Sequence, residues 1–174
     1  MVTRYQNPDL ASLLVGMLQS PVVLSGTTIT GLSLDSREVA EGFAFIALAK
    51  DNELRYQHIE QALSAGCQVA LFDESLALSE QEHSLIESRQ AQAIAVKNLA
   101  DKTGEIAARF YGHPSLALTV IAVTGTNGKT SVSQFIAQCL ESLGQGCGVI
   151  GTLGVGRVGD LLDTGMTTPD PVSL

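Results

Sequence analysis

The sequence predicts an α/β protein in two parts: a small first domain of alternating strands and helices, and the start of a second. Three observations carry this. Through residue 110, short apolar runs alternate with apolar residues at helical spacing. A cluster of breakers, Gly112-His113-Pro114-Ser115, then interrupts the pattern. Beyond it, a pure apolar run, a glycine-containing loop and an amphipathic stretch follow in immediate succession. The boundary is placed at the breakers, giving domains of residues 1–112 and 113–174.

The first element is a helix. Asn7 is a good N-cap, Pro8 suits the first helical position, and Asp9 favours the positive helix end. Leu10, Leu13, Leu14, Met17 and Leu18 form one apolar stripe, and Pro21 ends it. After the turn Ser25-Gly26-Thr27-Thr28, a strand over 29–34 closes on Asp35-Ser36-Arg37. Gly42 introduces a second strand, 43–48, whose continuous apolar character implies cover on both faces. A polar loop, 50–55, leads to a helix over 56–65 with Ile59, Ala62 and Leu63 inward and Gly66 just past its end. A strand over 68–72 follows at once, which reads as a crossover unit.

Residues 73–90 are polar and read as a short helix with loops. Another strand spans 92–96. Asn98 then caps a helix with Leu99, Thr103, Ile106, Ala107 and Phe110 inward. Gly104 weakens that helix by about 1 kcal/mol. Four strands and at least three helices are enough to bury a core.

In the second part, 118–123 reads as a buried strand. From Thr130, the residues Val132, Phe135, Ile136, Cys139, Leu140 and Leu143 share one helix face, and Gly144 stops the helix. Val149-Ile150 looks like the next strand, ahead of a Gly/Thr-rich tail to Leu174. Strand, loop, helix, strand is the opening of a nucleotide-binding α/β domain. Two strands and one helix cannot bury a core, so this domain is expected to be truncated.

Composition narrows the function. Of 174 residues, 45% are hydrophobic and 16% charged, which fits a globular chain. A formal charge of −8 repels phosphate backbones, so nucleic acid is not an expected partner. No apolar run reaches the roughly 18 residues of a membrane span, and the N-terminus lacks a signal-peptide pattern. Cys67, Cys139 and Cys147 lack metal-ligand spacing and read as reduced structural thiols of a cytoplasmic protein. His58, His83 and His113 are scattered and read as surface residues.

Gly125-Thr126-Asn127-Gly128-Lys129-Thr130 carries the Gly-Lys-Thr ending of a P-loop, between strand and helix as that motif requires. The glycines permit backbone conformations and phosphate approach that a Cβ would block. N–H groups of Gly128, Lys129, Thr130 and Ser131 can donate to phosphate oxygens. Lys129 supplies a point charge for the β- and γ-phosphates, and the Thr130 hydroxyl can ligate Mg²⁺. Val123 stands where the first P-loop glycine is usual.

Thr124-Gly125-Thr126-Asn127-Gly128-Lys129-Thr130-Ser131 resembles the ATP loop of the Mur ligases and their folylpolyglutamate synthetase relatives, which lacks that glycine in the same way. Leu34-Asp35-Ser36-Arg37, Gly42, Phe45-Ile46-Ala47, Ile59, Ala62, Gly66 and Thr167-Thr168-Pro169-Asp170 resemble the branch that adds a diamino acid to the muramyl peptide. The resemblance implies a uridine-nucleotide domain followed by the start of the central P-loop ATPase domain. It implies a ligase that uses ATP and Mg²⁺ to join diaminopimelate or lysine to a UDP-N-acetylmuramoyl dipeptide through an acyl phosphate, acting as a monomer. Lys129 would be catalytic, with 125–131 holding ATP and Thr130 the metal.

The resemblance also implies that Leu34 and Ser36 contact uridine. It sets Asp51, Asn52 and Glu53 near the phosphates or sugar, and Thr167 and Thr168 at the muramyl-peptide end. The chain departs from the branch at Lys50, where Gly is usual, and at Leu54-Arg55, where Asp-Gly is usual. Asp51 and Glu53 would repel a diphosphate unless only their backbone takes part. Whether Arg55 offsets this is left open by the sequence. Two readings of another class stay open on residues alone: a nucleotide-sensing module, or a different P-loop enzyme such as a kinase.

Overall fold

The computed structural model describes residues 8–18, 24, 27–163, 165 and 168–173. It divides into two compact units, Met1–Ala117 and Leu118–Leu174.

In the first unit, β1 (Gly31–Ser33), β2 (Phe43–Ala47), β3 (Val69–Asp73) and β4 (Gln92–Val96) form a parallel sheet in sequential order. Phe45 pairs with Ser33 on one side and Ala70 on the other. Helices α2 (Asn52–Ser64) and α3 (Glu80–Ser88) make the crossovers from β2 to β3 and from β3 to β4. Ala44, Phe45, Ile46 and Ala47 are all buried, as are Val69, Ala70 and Leu71. That is the continuous burial expected of a parallel sheet covered on both faces. Phe45, Ala47, Ile59, Ala62, Leu63, Cys67 and Ile86 form one apolar cluster. Burial there pushes the Cys67 thiol up, so it is a packed, unreactive group.

Helix α4 (Leu99–Phe110) buries Leu99, Thr103, Ile106 and Ala107 and packs on β3. Gly42 turns the chain into β2 at φ 81°, and a Cβ there would lie 2.7 Å from Thr30 Oγ1. Both facts demand glycine.

Several expectations need correction. The first helix, α1, is a single turn, Leu10–Leu13, with Asp9 as its N-cap. Leu10, Leu13, Leu14 and Met17 are buried as the stripe requires, but the chain leaves helical geometry and reaches φ 74° at Gly16. Asn7 and Pro21 lie outside the described residues. Helix α2 starts at Asn52, so residues expected in a polar loop form its first turn. Asn98 stands at the N-cap of α4 in left-handed geometry and makes no side-chain cap. Asp73, at the end of β3, takes the Leu99 N–H through Oδ2 at 2.7 Å instead.

The second unit holds α5 (Lys129–Ser142) and an antiparallel sheet of β5 (Gly148–Gly151), β6 (Gly154–Arg157) and β7 (Asp160–Leu162). Both hairpin connections are two residues long, Thr152-Leu153 and Val158-Gly159. The tail beyond Val149-Ile150 is thus a small sheet through Leu162. Residues 118–123 form no strand; Val120 is 76% exposed. A strand exists by pairing, and β5–β7 pair with one another instead. The apolar face of α5 is only partly covered: Ile136 and Leu140 are half-buried, but Phe135 is 64% exposed. Cys139, expected on the apolar face of that helix, is exposed.

Candidate functional site

In the second unit, Gly125-Thr126-Asn127 forms a bend and Gly128 is the N-cap of α5 at φ 77°. A Cβ at Gly128 would meet nothing within 4 Å, so the backbone angle and not space demands glycine. The Val132 N–H donates to Gly128 O at 2.9 Å as the first helical bond. Helix geometry therefore leaves the N–H groups of Lys129, Thr130 and Ser131 without an intrahelical acceptor. These sit at the positive end of a 14-residue helix. Lys129 Nζ donates to Gly125 O at 2.5 Å, folding the ammonium back across the loop. Gly125 to Lys129 are exposed and Thr130 is half-buried. Donors, a cation and a hydroxyl at one helix start suit a polyphosphate with a hard divalent cation.

In the first unit, β1 delivers the turn at residues 34–37. Ser33 Oγ donates to Asp35 O and accepts the Asp35 N–H, closing it locally. Arg37 braces it further: its guanidinium donates to both Asp35 carboxylate oxygens, and its N–H donates to Oδ1 at 2.9 Å. The Arg37 side-chain and backbone bonds hold the Asp35 carboxyl down at about 2. Leu34 is half-buried, and Ser36, 6% exposed, donates its hydroxyl to Gln61 Oε1 at 2.7 Å.

Asp51, Asn52 and Glu53 sit at the start of α2 and are exposed. The Asp51 carboxylate is committed to the helix, accepting the Leu54 N–H at 2.9 Å. Glu53 Oε1 accepts from Gln57. Arg55 does not face this surface. It is fully buried against α3, where Nε donates to Glu82 Oε1 at 2.7 Å and Nη2 to Oε2 at 2.9 Å. Burial opposes ionisation of Glu82, but the bonds from Arg55 and Ser79 outweigh it and hold the carboxyl below its ordinary range. For Arg55 the Glu82 hydrogen bond raises the pKa further. An offset of phosphate repulsion by Arg55 is thereby excluded.

Thr168 is exposed in the irregular segment after β7; Thr167 lies outside the described residues. Sequence reasoning missed Gln61 and the Arg55–Glu82 pair. The pair had a partial signal. Ser79-x-x-Glu82 is a capping-box pattern, and the structure forms that box.

Residues 123–174 match the Mur ligase middle domain. The chain is 44% identical over 154 residues to the UDP-N-acetylmuramoyl-L-alanyl-D-glutamate–2,6-diaminopimelate ligase of Ectopseudomonas mendocina, a match covering 88% of the chain and 30% of that enzyme. The enzyme of the same name in Coxiella burnetii is 42% identical over 146 residues, covering 84% of the chain and 29% of that enzyme. A solved structure of a ligase so named superposes with a TM-score of 0.69 at 27% identity, covering 97% of this chain and 32% of that one. The chain thus spans just under a third of the length of these relatives. Residues 123–174 carry the Mur ligase middle domain, and the chain as a whole is similar to a fragment of these ligases.

Proposed function

We propose that this chain is the part of an ATP-dependent amide-forming ligase of peptidoglycan precursor synthesis that holds the uridine end of one substrate and the phosphates of ATP. The observation that carries the reading is the 44% identity to enzymes named as diaminopimelate ligases. A match covering 88% of the chain necessarily takes in both the Ser36 turn and the loop at 125–131. In the complete enzyme, ATP activates the free carboxylate of the UDP-N-acetylmuramoyl dipeptide as an acyl phosphate. The amino group of diaminopimelate, or of L-lysine, displaces phosphate to form the amide.

Each residue has a role in this reading. Gly125, Thr126, Asn127, Gly128 and Ser131 shape the loop and offer N–H donors to the ATP phosphates. The Lys129 ammonium exchanges Gly125 O for a phosphate oxygen and stabilises charge on the transferred group. The Thr130 hydroxyl would hold Mg²⁺, which neutralises the phosphates. Leu34 packs on the uracil face and the Ser36 turn meets its polar edge or the ribose. Asp51 fixes the α2 turn, leaving Asn52 and Glu53 to offer backbone N–H groups to the diphosphate. Thr167 and Thr168 meet the muramyl-peptide end.

Residues 1–112 form the uridine-substrate domain and 113–174 the opening of the central domain. The reading also places the enzyme in the cytoplasm as a monomer. No described helix is long and apolar enough to cross a membrane. The test is a chimera in which this chain replaces the matching part of the Ectopseudomonas mendocina relative. Amide formation dependent on ATP and diaminopimelate is expected. A folded chimera that binds neither nucleotide and turns nothing over would contradict the proposal.

A further inference from the structure

Two segments of the proposed uridine site, the turn at 34–36 and the start of α2, are separated by strand β2 in sequence, yet both are fixed to one helix. Asp51 to Glu53 are the cap and first turn of α2. Ser36 is tied to the same helix ten residues on, through Gln61 Oε1 at 2.7 Å. The register of α2 therefore sets how the two segments stand to each other. At 1.5 Å per residue, a sliding or rotation of about one residue would misplace a contact by more than hydrogen bonding tolerates.

Beside the apolar packing of Ile59, Ala62 and Leu63, a buried fork ties α2 to α3. Arg55 reaches α3 with two parallel bonds to Glu82, Nε to Oε1 at 2.7 Å and Nη2 to Oε2 at 2.9 Å. Nη2 also donates to Ala77 O at 3.3 Å. Glu82 Oε2 is itself held by the Ser79 N–H at 2.7 Å and the Ser79 hydroxyl at 2.8 Å. Both side chains of the pair are almost wholly buried.

This arrangement is a poor way to gain stability. Two charges are desolvated, and Arg55 Nη1 is buried with no partner among the described residues. Apolar residues of similar volume would fill the space at least as stably. A planar fork instead fixes direction as well as distance. We propose that Arg55, through Glu82, is a positioning residue that sets α2 for binding of the nucleotide-linked substrate. This rests on the uridine reading of the Leu34–Ser36 turn.

The experiment titrates the 174-residue chain and its variants with UDP by NMR, with thermal unfolding measured alongside. Arg55→Met/Glu82→Gln removes both charges but keeps an oxygen to accept the Ser79 N–H. Arg55→Lys keeps the charge and loses the fork. The expected result is a double variant with a Tm close to the parent and UDP affinity lowered about tenfold, the size of effect that a small misplacement produces. Arg55→Lys should recover only part of that loss. Unchanged UDP affinity in a folded double variant would overturn the positioning role and leave the uridine reading standing. Absence of UDP binding by the parent chain would overturn both. If the double variant fails to fold, Arg55→Lys decides: parental affinity refutes the proposal, and weakened affinity at a parental Tm supports it.

Discussion

Lys129 is the residue on which the chemistry of the proposed ligase turns. Its ammonium is exposed and donates to Gly125 O, so nothing in the packing depends on it. In the complete enzyme Lys129→Ala should lower kcat by about 10²–10³, the loss of one electrostatic stabiliser, with the Tm unmoved. Steady-state kinetics with a melting curve checks this, and near-normal turnover would remove Lys129 from the mechanism. Asp35 gives a second test. Its carboxyl is held at about 2 in the folded chain against an ordinary value of 3.8, so the folded state binds fewer protons there. Its stabilising contribution is therefore complete above about pH 4 and disappears as pH falls through about 2. Following the Asp35 carboxyl carbon by NMR should place the midpoint near 2, and Arg37→Ala should return it toward the ordinary range. A titration unaffected by that substitution would show that the pair is not formed in solution. At this scale the P-loop residues were legible because glycine, lysine and threonine each answer one local demand. The occupation of Ser36 by Gln61 was not, since 25 residues separate them and nothing in either neighbourhood announces the bond.

At the scale of elements, strands of the first unit were read more securely than its helix starts. The four strands of the first unit follow from apolar runs, and β4 falls on the expected residues. The start of α2 was missed because Lys50 to Arg55 reads as polar loop, although Asp51 is a capping residue with Glu53 in the first turn. Arg55 concealed the helix, because a lone arginine gives no sign in sequence that a carboxylate 27 residues away will bury it. Removing one partner of that pair exposes its cost. Arg55→Met alone strands the Glu82 charge in the interior and should destabilise the first unit by about 3–5 kcal/mol. Urea unfolding of the variant measures this, and a change below about 1 kcal/mol, the level typical of an exposed pair, would contradict the burial. Ser79→Ala should cost about 1 kcal/mol, because the α3 cap loses its hydroxyl while the backbone bond to Glu82 remains.

For the whole molecule, the two units differ in how far their own residues account for them. The first buries a continuous parallel sheet under helices, as its sequence implied. In the second, the stripe from Val132 to Leu143 falls on α5, but the sequence could not show that β5–β7 would leave part of that face exposed. Leu143 is 76% exposed. A catalytic site must exclude water around an activated carboxylate, and an open helix face does not do so. The 174-residue chain alone should therefore release no ADP in response to the muramyl dipeptide and diaminopimelate; substrate-dependent ADP release would refute this. The central claim is that the first unit receives a uridine nucleotide and the second the phosphates of ATP. Its most direct test is NMR titration of the chain with UDP and with ADP in separate experiments. UDP should shift resonances at Leu34 to Ser36 and at the start of α2, and ADP those of Gly128 to Ser131. A chain whose Leu34 to Ser36 resonances stay fixed at millimolar UDP, or move equally with ADP, would contradict the account.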